Sequence, residues 1–259
     1  MIFFIAFNTF KEAIRQRLIL FASLIALGLI LASRYLLRLD LGHDQIRFVF
    51  DFSSGALNFF GTIIAVVCSC SLISSEIENK TIITLLSKSV NSLDFVLGKL
   101  VGIMAVLFVF VMAIFASASV MLWVTSLSLS NAGFENIYVN YISFVEYCIL
   151  QWLKISMCAS FSILICSLSR SFLFAVSMSF MCVLICIMGE TLAGLGGNGN
   201  LISNIASYLL PDFQLLDVSE NVLKTSLAIK TFSILCQYGG AYVLISSLLS
   251  AWVFSKRDF

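Results

Sequence analysis

Six stretches of this chain each stay apolar for about the twenty residues that a helix needs to cross a bilayer. They lie near Leu18–Leu37, Phe52–Ser75, Phe95–Val124, Ser143–Leu168, Phe172–Leu192 and Thr231–Phe254. Hydrocarbon offers no hydrogen bonds, so a spanning backbone must satisfy its own polar groups. The runs are continuous and not alternating, which selects helices over a closed barrel. The expected fold is an all-α integral membrane protein with six transmembrane helices in a single transmembrane domain over 1–259. The third stretch exceeds what a bilayer requires, so it is expected to tilt or project beyond the membrane.

Composition agrees. The chain is 60% hydrophobic and 11% charged, with mean hydropathy +1.05, far from a soluble domain. A net charge of +1 leaves no footprint for nucleic acid, and membrane lipid is the expected surrounding. The eight cysteines all sit in apolar stretches without the C-x-x-C spacing of a zinc site, as small hydrophobes filling helix contacts would.

Lys and Arg set the orientation. With the N-terminus inside, Lys11, Arg15, Arg17, Lys80, Lys88, Lys99, Arg170, Lys256 and Arg257 face the cytoplasm. Arg34, Arg38, Arg47, Lys224 and Lys230 fall outside, and Lys154 lies within a span. This bias and an even number of spans put both termini in the cytoplasm, in a multi-pass protein of the cell inner (plasma) membrane. Most acidic residues, Asp217 among them, fall on the outer loops.

The first fifteen residues do not have the order of a cleaved signal. Phe3, Phe7, Phe10 and Ile14 recur at helical spacing against Asn8, Lys11, Glu12 and Arg15. An interfacial helix lying flat before the first span is expected, the alternative being a plain extension of that span. The longest non-spanning stretch is the outer loop 193–230. It opens on GLGGNGN, a run of turn residues, and turns apolar again before Pro211. That apolar piece is too short to cross, so a re-entrant or interfacial cap on the outer side is expected.

Between the second and third spans lies a charged amphipathic island, Glu76 to Lys99. Glu76 and Glu78 open it, and Ile77, Ile82, Leu85 and Leu86 form a stripe broken by Lys80, Thr84 and Lys88. Carboxylates first and Lys88 last suit a helix dipole over about 76–90. Gly98 and Gly102 then allow a neighbouring helix to approach the third span closely. The alternative is an ordinary solvated loop.

Glu76-x-Glu78-x-Lys80-Thr81-Ile82, followed by Leu85-Leu86-x-Lys88 and Gly98-Lys99, resembles the signature of type-2 ABC exporter permeases. Phe7 to Leu20 resembles their opening elbow helix, and Leu209 to Val218 the Pro-containing segment before their last span. Within the family the pattern is nearest to the branch containing the permease for maturation of the copper enzyme nitrous oxide reductase. The resemblance implies that Glu76, Glu78, Lys80, Thr81, Ile82, Leu85, Leu86 and Lys88 form a cytoplasmic coupling helix that docks on an ATPase. Ser89 stands where the family usually has Pro, and Ser92 where it often has Arg.

The chain carries no nucleotide site of its own. Gly98-Lys99 lacks the flanking Gly and the Ser or Thr of a phosphate loop, with Leu93 and Leu100 in those places. No cofactor is expected in this chain, which is therefore not expected to be an enzyme. By the resemblance, ATP and Mg are bound by a cytoplasmic ABC ATPase subunit dimer. Its closure would switch the spans between inward- and outward-open states. Six spans are half of the family's usual translocator, which implies a second permease copy or a related permease.

A charge at mid-bilayer costs about 2.5–3.5 kcal/mol on insertion scales. Gln151 and Lys154 in the fourth span therefore read either as a translocation path or dimer interface, or as a snorkelling lysine near the outer surface. Other chemistry is missing: the sole His, His43, lies in a loop, and no metal site is expected. Two other functions compete with the exporter. An ATPase-independent secondary carrier would need paired ionisable groups at mid-membrane, where only Lys154 is well placed. A non-transporting scaffold or assembly factor would need no docking helix. No residue names the cargo.

Overall fold

Each apolar stretch becomes a helix, and most run past the limits that hydropathy suggests. The computed structural model describes residues 2–36, 45–78, 92–131, 141–169, 171–188, 211–218 and 228–256. The helices are α1 (Ile2–Ile14), α2 (Arg17–Leu36), α3 (Gln45–Glu78), α4 (Ser92–Asn131), α5 (Tyr141–Leu168), α6 (Phe172–Ile187) and α7 (Ile229–Ser255). A 3-10 turn, Gln214–Leu216, precedes α7. Among the described residues there is no strand.

Among the described residues, four helices are long and apolar enough to cross a membrane: Gln45–Ile77, Leu93–Ser128, Ile142–Leu168 and Ile229–Ser255. A fifth crossing results if α1 and α2, bent by 64° at their junction, are taken together. The 40 residues of α4 extend about 60 Å, well beyond a hydrocarbon core of about 30 Å. At 16 residues, α6 spans about 24 Å and falls short of that thickness. The expected fifth span reached Leu192, and its last residues lie outside the described ones.

α5 is the centre of the bundle, packed by α3, α4, α6 and α7. It is buried on every side from Leu153 to Ser160. Serines there return their hydroxyls to the preceding turn, so they need no outside partner. Ser156 donates to Trp152 O at 2.7 Å, and Ser162 to Cys158 O at 2.8 Å. The Trp152 indole N–H donates to Met104 O at 3.1 Å, joining α5 to α4.

Small residues decide the closest contacts. α1 lies on α4 with Ala6, Thr9 and Ala13 buried, while Phe3, Phe4 and Phe7 face outward. A Cβ on Gly98 would meet the Ile5 side chain at 2.9 Å, and one on Gly102 would meet Ala6 O and Thr9 Cβ at 2.7 Å. The glycine pair thus receives α1. Gly239 of α7 faces Leu153 of α5 with no room for a Cβ. The opposite face of α7 exposes Leu244, Leu248 and Trp252, as a lipid-facing helix would.

Candidate functional site

Among the described residues, two buried lysines organise the polar chemistry of the bundle. The first is Lys99, two turns into α4 and 2% exposed. Its ammonium sits 2.5 Å from Glu76 Oε1 at the end of α3 and 3.7 Å from Glu12 Oε2 on α1. It also donates to Leu72 O at 3.4 Å. Glu76 and Lys99 are the first and last residues of the charged island, so its two ends are tied by an ion pair. Ser71 donates to Gln16 Oε1 at 3.0 Å, fixing the bend between α1 and α2 to α3. Helices α1, α3 and α4 are thereby one block at the base of the island.

Glu78 is the last residue of α3. Lys80, Thr81, Ile82, Leu85, Leu86 and Lys88 lie outside the described residues. The structure therefore brings Glu76 together with Gly98 and Gly102 around the α1–α4 contact.

The second lysine is Lys154, near the middle of α5. Its ammonium lies 3.2 Å from Asp217 Oδ2. Tyr147 Oη donates to Asp217 Oδ1 at 3.1 Å, and Gln151 Nε2 to the same oxygen at 3.4 Å. Tyr147, Gln151 and Lys154 recur at i, i+4 and i+7, so all three donors share one helix face. Snorkelling is overturned here: the Lys154 side chain is 8% exposed and points to a partner inside the protein. Asp217, read from the sequence as an outer-loop acid, is that partner.

Local chemistry seats Asp217. Asp212 Oδ1 accepts from Gln214 N at 2.9 Å to set the 3-10 turn. Phe213 and Leu216 are buried and anchor it. Asp212 N donates to the Tyr238 hydroxyl on α7 at 3.0 Å, and Gln214 Nε2 to Ile187 O at the end of α6 at 3.1 Å. The segment is held by α5, α6 and α7 together.

Asp217 and Tyr147 were missed from sequence. The polar stripe through Tyr147, Gln151 and Lys154 was visible at helical spacing and could have exposed the tyrosine. Nothing near Asp217 signals its partner, because 63 residues separate it from Lys154. Lys154, the one ionisable group placed well inside a span from sequence, is paired with a carboxylate that comes from outside the spans.

No curated protein matches the chain. A protein-family model described as ABC-2 family transporter protein matches residues 4–259, and the helices supply the membrane crossings such a protein needs. The chain belongs to the ABC-2 transporter family and is a multi-pass membrane protein, a permease component of an ABC transporter.

Proposed function

We propose that this chain is the permease of an ATP-driven exporter, with a separate cytoplasmic ATPase acting on the island between α3 and α4. Permeases of this family generally work with an ATPase subunit. The observation that carries the reading is the Glu76–Lys99 pair with Glu12 beside it. A push on a segment whose two ends are clamped moves α3, α4 and α1 together and is not absorbed by local bending. In this reading α1 is the elbow helix, residues 76–90 include the coupling helix, and six helices cross the inner membrane with both termini cytoplasmic. ATP and magnesium belong to the partner, this chain performs no catalysis, and two permeases assemble into the translocator. The overall pattern of the chain keeps the nitrous-oxide-reductase maturation branch as the proposed placement within the family.

Co-purification tests the docking. Glu78→Arg or Leu85→Asp should release the ATPase while the permease still extracts as a folded particle. Full recovery of ATPase with both changes present would refute the docking assignment. The Lys154–Asp217 pair is also what a secondary carrier would use. Transport that persists in vesicles without any ATPase would favour that reading.

A further inference from the structure

Tyr147, Gln151 and Lys154 put three donors, each less than a tenth exposed, on one face of α5 and aim them at one carboxylate. That carboxylate is not part of the helical frame. It arrives on a short turn that packs on α5 and is seated by Phe213, Leu216 and its bonds to Tyr238 and Ile187 O. The Asp217 side chain keeps 32% exposure while the lysine beneath it keeps 8%. The fit is also incomplete, for Gln151 Oε1 is buried without a hydrogen-bond partner.

A single lysine with two neutral donors matches a monoanionic carboxylate in charge and in hydrogen-bond number. A dianionic phosphate would leave a negative charge uncompensated in the same place. If the turn withdrew, Lys154 would be a buried cation without a counter-ion, so departure of Asp217 favours entry of another anion. We propose that the Tyr147–Gln151–Lys154 face is a carboxylate-binding site for the transported molecule, and that Asp217 occupies it as an internal stand-in in this conformation. The inference rests on the permease reading above and names the chemical class of its cargo: a molecule bearing a carboxylate. Entry of cargo and departure of the 211–218 turn are then one exchange, in which the lysine never loses an anionic partner.

Chemical rescue tests it on the full-length permease in lipid nanodiscs. Asp217→Gly removes the stand-in and leaves room for a free carboxylate. Thermal unfolding is followed during titration with sodium acetate, against sodium chloride at equal ionic strength. Acetate should raise the midpoint of Asp217→Gly in a saturable way and leave the wild type unchanged. The double variant Lys154→Met with Asp217→Gly should not respond. Equal acetate shifts in all three proteins, or none in Asp217→Gly, would overturn the site. If Asp217→Gly does not extract as a folded particle in chloride, Asp217→Ser is used and extraction is repeated in acetate. Recovery in acetate supports the site, and failure to recover overturns it. The permease is measured alone, so this result is independent of ATPase docking and either reading can fail without the other.

Discussion

Replacing Lys99 with Met removes one charge and leaves two carboxylates facing an apolar side chain. Breaking a buried pair by deleting one partner costs about 3–5 kcal/mol. Two features reduce that figure here. Glu76 retains 17% side-chain exposure and Glu12 retains 42%, so water solvates part of the charge that loses Lys99 and Glu12 contributes little. The Met side chain also fills most of the volume of the lysine stem, which limits the cavity cost. The net loss should be about 2–3 kcal/mol after this discount. At about 2–4 °C per kcal/mol for a chain of this size, the unfolding midpoint should fall by about 4–12 °C. Tryptophan fluorescence of the purified permease in lipid nanodiscs measures it. Glu76→Gln added to Lys99→Met should recover a large part of the loss, because the buried charge is gone, and the double-mutant cycle isolates the pair. A single-variant loss below about 0.5 kcal/mol, the scale of an ordinary surface change, would refute the clamp. So would a double variant whose loss is the sum of the two singles.

Gly102→Leu should cost about 1–3 kcal/mol through overpacking and speed hydrogen exchange across residues 2–14, since a Cβ at this position already presses on Ala6 O and Thr9. Gly28→Ala should be neutral or stabilising by up to about 1 kcal/mol, because nothing lies within 4 Å of its Cβ position; the same unfolding assay compares the two glycines. Gly239→Leu should push α7 off Leu153 and, through Tyr238 and its bond to Asp212, raise exchange over 211–218. Unchanged exchange there would mean that α7 does not seat the turn. Lys154→Met should raise exchange in the same peptide without disturbing residues 2–14, as the two lysine clusters share no residue.

The helices were largely legible because membrane crossing is a local property. Twenty apolar residues in a row have few other stable arrangements, so α3, α4, α5 and α7 fall where hydropathy places them. Their ends were less legible. α3 begins at Gln45 and not Phe52, because nothing in hydropathy marks where a helix stops after it leaves lipid. α1 was recognised by its phenylalanines, yet the face that packs is Ala6, Thr9 and Ala13. Small residues score weakly as apolar, but they allow backbones to approach closely.

The sequence alone determined the class of molecule, its helical composition and the charged island bounded by Glu76 and Lys99, since each follows from the order of neighbouring residues. Only the tertiary structure decided that those two residues pair, that Gly98 and Gly102 receive α1, and that Asp217 returns to Lys154. A carboxylate and an ammonium attract through space, and no pattern along the chain records which partner the folded bundle brings within reach.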